Sequence, residues 1–127
     1  MKTRYFAAAA ASIVMASATV TLAQDADTPW ETSPFRCEPG ETYVMNVMVS
    51  GVEYWFPVYE MFKQAAHQFG CEADYTGTPE YDVNKQIATF EQALAKQPAG
   101  ILLHPMNPDP FVEPINRAIE QGTAVVT

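Results

Sequence analysis

The sequence predicts an α/β protein, a three-layer doubly wound parallel sheet, and three observations carry that prediction. From Tyr43 onward, short and nearly unbroken apolar runs recur along the chain. Each is followed by a segment whose apolar residues step by three and four, and a glycine closes two of those segments, at Gly70 and Gly122. Runs without polar alternation suit strands buried on both faces, and strands that alternate with helices are joined by right-handed crossovers in a parallel sheet.

The first strand is "YVMNVMV" (43–49), apolar with one polar interruption at Asn46. The first helix carries Val58, Met61, Phe62, Ala65, Ala66 and Phe69 toward the core, with Glu60, Lys63, Gln64, His67 and Gln68 on the other side, and Gly70 suits a left-handed C-cap. His67, on the polar face, is expected in solvent. "CEADYTG" reads as the second strand, and Asp82 caps a second helix whose Val83, Ile87, Phe90 and Leu94 are spaced four, three, four. "AGILLH" is the third strand. A third helix turns Ile115, Ala118 and Ile119 inward and stops at Gly122, and "TAVVT" opens a fourth strand. Pro110 and Pro114 leave the start of the third helix open, because only one of them fits the first helical position at no cost.

The amino-terminal end has the layout of a secretory signal peptide over residues 1–23: Lys2 and Arg4, an apolar stretch from Phe6 to Val14, then small residues with Thr21 and Ala23 before the cleavage point. A membrane anchor is the competing reading, but the stretch is Ala-rich and falls short of the roughly 20 strongly apolar residues a span needs. Residues 24–42 read as an irregular leader. Cleavage near Ala23 takes the formal charge from −8 to −10, since Lys2 and Arg4 leave while all fifteen Asp and Glu remain. So acidic a chain is repelled by phosphate backbones, which excludes nucleic acid as a partner. Cys37 and Cys71 enter an oxidising compartment that permits a disulfide, and two free thiols are the alternative. Catalytic signatures are lacking. There is no G-x-S-x-G elbow, no phosphate loop and no recognisable metal-ligand spacing, so neither an enzyme nor a cofactor is expected.

Ligands of open parallel sheets bind beyond the carboxyl ends of the strands. Two stretches fall there. "SGVEYWFP" (50–57) places Ser50, Tyr54, Trp55 and Phe56 after the first strand, and "HPMNPDP" (104–110) places His104, Asn107 and Asp109 after the third, in a loop stiffened by Pro105, Pro108 and Pro110. The aromatic residues either cover the top of the first helix or form a wall for a flat apolar ligand face. Together the two stretches supply apolar area and a few polar groups, the makings of a small-molecule pocket.

Four segments in order, "YWFPVYEMFKQAAHQFG", "GTPEYDVNKQIATFEQAL" with Asp82 and Gln86, "PAGILLHP" and "INRAIEQGTAVVT", resemble the ribose-type periplasmic sugar-binding proteins of ATP-driven (ABC) importers. The resemblance covers residues 43–127 and implies the type I periplasmic-binding fold. It also implies a monosaccharide or related polyol as ligand, a membrane permease of an ABC transporter as partner, and a periplasmic location. The aromatic pair that stacks on the sugar in that family matches Tyr54 and Trp55, the hydrogen-bonding residue before the proline matches His104, and Ser50 lies in the loop where the family uses polar contacts. Departures occur at Val52 and Glu53, where relatives often place Asn and Pro, and at His104, where Asn is frequent.

Family members have a second lobe, so the sequence is expected to represent an incomplete amino-terminal lobe with weak or no sugar affinity by itself. The sugar-responsive repressors that share the fold carry a DNA-binding headpiece, where this sequence carries an export signal. An exported sensing module that presents a small molecule to a membrane receptor is the alternative reading. The family's two-one-three strand order also makes the first two strands neighbours with Cys37 and Cys71 near their amino ends. A disulfide there closes a loop of about 35 residues and contributes roughly 3 to 4 kcal/mol.

Overall fold

A computed structural model describes residues 34–127. The signal peptide and the first ten residues of the leader lie outside the described residues. Four strands, β1 (Thr42–Val47), β2 (Glu72–Gly77), β3 (Gly100–His104) and β4 (Ala124–Val126), alternate with helices α1 (Trp55–Gln68), α2 (Val83–Leu94) and α3 (Val112–Glu120). All strand pairings are parallel and the sheet order is β2-β1-β3-β4. Strand β1 begins at Thr42, which pairs with Glu72.

Strand β1 is central, and its last four residues, Val44 to Val47, are all buried. That is what an apolar run without alternation requires, since each face of the sheet has its own helix layer. On one face Val44, Ile101 and Leu103 pack against Phe90, Ala93 and Leu94 of α2 and against Phe111 and Ala118. Phe90 and Phe111 meet edge to face at 5.9 Å. On the other face Met45 and Val47 pack against Trp55, with Val58, Tyr59 and Phe62 of α1 beside them. Three layers result, as the sequence predicts.

Three residues assigned to the core lie outside it: Met61, 66% exposed, Ile119, 57% exposed, and Ala65, also exposed. One cause explains all three. The inward stripe of α1 runs through Trp55, Val58, Tyr59, Phe62 and Ala66, and that of α3 through Pro114, Ile115 and Ala118. At 3.6 residues per turn, Met61, Ala65 and Ile119 are each rotated about 100° from the core residue beside them, Phe62, Ala66 and Ala118, so all three point along the surface. Steps of three and four residues admit them, but they fall outside the buried stripe.

The helix ends follow local chemistry. The carboxylate of Asp82 accepts a hydrogen bond from the Lys85 amide at 3.0 Å, a side-chain N-cap for α2. Gly70, after α1, has φ +80°, the left-handed conformation that a Cβ disfavours. A 3₁₀ turn over Asp109–Phe111 contains Pro110 and leads into α3 at Val112, and Pro114 sits buried in the first turn of α3 where no intrahelical N–H is needed. Arg117 ties α3 to α2 by pairing with Glu91, and also bonds Glu113 on its own helix at 2.7 Å.

At the amino-terminal edge of the sheet, Cys37 and Cys71 are joined in a disulfide with their Cα atoms 5.3 Å apart. Around it the Cys37 amide donates to Phe69 O at 2.9 Å and Phe35 meets Phe69 edge to face at 5.6 Å. No helix among the described residues is long and apolar enough to cross a membrane.

Candidate functional site

The site is built on the carboxyl edge of the sheet, where Val47 is flanked in register by Gly77 of β2 and His104 of β3. Gly77 allows the close approach: a Cβ there would lie 2.5 Å from the Val47 carbonyl oxygen. From this edge the loop 48–54 folds back into α1. Its start is fixed through Ser50, whose amide donates to Thr78 O at 2.8 Å and whose carbonyl accepts from the Tyr75 hydroxyl at 2.9 Å. Burial pushes the Tyr75 phenol up, which keeps it protonated as the donor. Its end is two turns, Trp55 N to Val52 O at 3.0 Å and Phe56 N to Glu53 O at 3.2 Å, that start the helix at Trp55.

That start fixes where the three aromatic residues point. Trp55, only 9% exposed, lies against Met45 and Val47 and so belongs to the core. Tyr54 is 66% exposed and stands nearly perpendicular to Trp55, with centroids 4.8 Å apart and planes at 83°. The His104 ring also approaches Trp55, to 4.9 Å at a tilt of 58°. Phe56 is exposed and takes no part in this cluster. Trp55 covers the end of the sheet and, with Tyr54 and His104, lines an open depression, whereas Phe56 covers nothing.

The depression has a volume of about 420 Å³ and is lined by Met48, Val49, Val52, Tyr54, Trp55 and His104. Three of the expected site residues converge there. Ser50 and Asn107 are not among its walls: Ser50 has its backbone engaged as described, and the Asn107 side-chain oxygen accepts from the Asp109 amide at 3.2 Å, turning the proline-rich loop. From the sequence Met48 and Val49 read as the end of the first strand, but pairing stops at Val47 and they open the loop instead, while Val52 stands out only as a departure from the family pattern.

Two further residues matter although neither touches the depression. Gln86, on the inward stripe of α2, is completely buried. Its amide nitrogen donates to His104 O at 2.9 Å and lies 3.4 Å from the side-chain oxygen of Asn46, and its amide oxygen accepts from Met106 N at 2.9 Å. Asn46, also completely buried, donates to the Thr89 hydroxyl at 3.2 Å.

A second depression, about 210 Å³, lies at the opposite end of the sheet between Phe35, Tyr43, Phe62, Phe69 and Cys71. It offers little beyond apolar surface, whereas a ligand site needs placed polar groups as well. No cluster of three or more His, Cys, Asp or Glu able to hold a metal occurs among the described residues.

Comparison with known families settles the class. The description "periplasmic binding protein domain" belongs to the family whose pattern matches residues 43–127, from β1 to β4. The chain belongs to the periplasmic binding protein family. Periplasmic binding proteins carry ligands and are not enzymes. The chain is 39% identical to a solved arabinose-binding protein, AraP of Geobacillus stearothermophilus, with a TM-score of 0.65 over 68% of this chain and 30% of that one. It is 36% identical to a sugar-binding protein of a sugar ABC transporter from Bacillus halodurans, with the same TM-score and coverage. A solute-binding protein from Agrobacterium vitis bound with α-D-tagatopyranose, 19% identical with a TM-score of 0.63, shares the fold. The chain thus spans about 30% of the length of the first two. A comparison with curated proteins finds no match.

Proposed function

We propose that the chain is the amino-terminal lobe of an exported substrate-binding protein that delivers a monosaccharide or related polyol to the membrane permease of an ABC importer. The observation that carries this reading is the convergence of Tyr54, Trp55 and His104 on one open depression at the carboxyl edge of the sheet. A sugar ring presents C–H faces and hydroxyl edges together. The indole and phenol rings match the faces, while the His104 imidazole, with one donor and one acceptor nitrogen when neutral, matches the edges. Ser50 and Asn107 lie on the loops that flank the depression and not among its walls, so the proposed contact set is Tyr54, Trp55 and His104. Residues 1–23 serve as the export signal, cleaved near Ala23, and the Cys37–Cys71 disulfide suits a protein that works outside the cytoplasm.

The similarity to an arabinose-binding protein makes arabinose the first ligand to try. The lobe offers one open wall, and small-molecule sites owe their affinity to enclosing most of the ligand. Binding to this chain is therefore expected in the millimolar range, worth about 4 kcal/mol. Isothermal titration with arabinose, xylose, ribose and glucose tests the proposal. Heat from at least one sugar, reduced about tenfold in affinity (~1.4 kcal/mol) in His104→Ala, is the expected result. Absence of heat with every sugar at tens of millimolar, or an undiminished response in His104→Ala, contradicts it.

A further inference from the structure

We infer that Gln86 is a positioning residue that sets His104 against Trp55, acting from the far side of the sheet without touching the depression. The backbone shows why such a residue is needed. Strand β3 ends at His104, and the next residue, Pro105, has no N–H to continue any ladder. The chain beyond is rich in proline, so the peptide units around Pro105 have no strand partner to hold them. Gln86 supplies one with a side chain: its carboxamide donates to the carbonyl before Pro105, on His104, and accepts from the amide after it, on Met106, both at 2.9 Å. A primary carboxamide reproduces the donor and acceptor pair that a neighbouring strand would present.

The rest of the arrangement fixes the carboxamide itself. Asn46 Oδ1 faces its nitrogen at 3.4 Å, Asn46 Nδ2 bonds the Thr89 hydroxyl at 3.2 Å, and that hydroxyl donates to the main-chain carbonyl of Gln86 at 2.8 Å. Two buried amide side chains inside an apolar layer are costly unless every group is satisfied, and a satisfied network fixes one geometry. Apolar residues at 46 and 86 would fill the same space without holding residue 104. What the polar pair adds is the placement of the His104 backbone, and with it the imidazole that lies 4.9 Å from the Trp55 ring.

The part of this inference that concerns ligand affinity rests on the proposed function; the part that concerns geometry does not, so the test reads the geometry in protein without ligand. In proton NMR spectra the His104 imidazole lies within the ring current of Trp55, and His67, on the exposed face of α1, is the internal reference. In Gln86→Met and in the near-isosteric Gln86→Glu, the His104 ring signals are expected to move toward those of His67, while signals of Phe90 and Leu103 in the core keep their dispersion. A folded variant in which the His104 signals stay at their wild-type positions overturns the inference, whatever happens to stability. Wild-type protein gives a second reading that needs no variant. The Met106 amide, despite lying in a proline-rich loop, is expected to exchange as slowly as amides of β1, and fast exchange overturns the inference. Arabinose affinity should fall about tenfold in the variants if the His104 contact is as proposed. Failure of wild-type protein to bind any sugar would refute the proposed function and leave the NMR result standing.

Discussion

At the amino-terminal end of the sheet the chain is fastened by a disulfide and by backbone hydrogen bonds, Cys37 to Phe69, Glu72 to Glu41, Ala99 to Thr42 and Ala124 to Ala99. At the carboxyl end the backbone bond from Ser50 to Thr78 is joined by side chains that cross from one element to another: Tyr75 to the Ser50 carbonyl, Gln86 to both sides of Pro105, and Trp55 lying over the end of β1. Backbone pairing depends little on which residues are present, so at the first end the residue-specific ties are few, the disulfide and the buried Thr123 hydroxyl that donates to Pro98 O at 2.8 Å. Side-chain ties are specific to residue type, so the second end holds one geometry only while those residues remain. That division fits the proposal that the ligand site lies at the carboxyl end, away from the disulfide.

Three substitutions sharpen or break this contrast. The largest effect is expected from Cys37→Ser with Cys71→Ser, which opens a loop spanning a sequence separation of 34. Denaturant unfolding should show a loss of about 3 kcal/mol, with the NMR signals of Trp55 and His104 unmoved. Movement of those signals would mean that the two ends are not independent. Next comes Tyr75→Phe, which removes the hydroxyl bonded to Ser50 O and leaves a partly buried carbonyl without that donor. Its cost is expected near 1 kcal/mol, accompanied by shifted amides at residues 48–54. A stability loss with that loop unperturbed would remove Tyr75 from the site's support. The smallest effect on stability is expected from Tyr54→Ala, within about 0.5 kcal/mol because the ring is exposed, although sugar binding should weaken. A loss as large as that of the disulfide variant would show that Tyr54 is structural.

Much of the fold was legible because burial on both faces leaves a continuous apolar run, and the runs at β1 and β3 are buried in the structure. The inward stripes of α2 and α3 were legible for the same reason, apart from Ile119, which the three-and-four spacing admits and the 100° rotation per residue excludes. Tyr59 escaped notice because a tyrosine reads as half polar, yet its ring packs on Tyr75 at 5.1 Å and its hydroxyl bonds Ala73 O at 3.2 Å. Within the site, Tyr54, Trp55 and His104 stood out as chemistry-bearing residues at strand ends.

Gln86 and Asn46 show what sequence reading left unused. Each is a polar residue on an otherwise apolar face, Asn46 within the β1 run and Gln86 between Val83 and Phe90 on the stripe of α2. The sequence shows two such exceptions 40 residues apart, and only the sheet topology shows that they meet. Where polar residues break an apolar pattern and no solvent is near, a partner from another broken pattern is the first thing to seek.

The most direct test of the central claim is a chemical-shift map of the isotope-labelled protein titrated with arabinose. Perturbations confined to the Trp55 indole, the His104 ring and the amides of residues 48–55 and 104–107 are the expected result. Perturbations gathered instead around Phe35, Phe62 and Phe69, or none at tens of millimolar sugar, would contradict a sugar site at the carboxyl edge of the sheet.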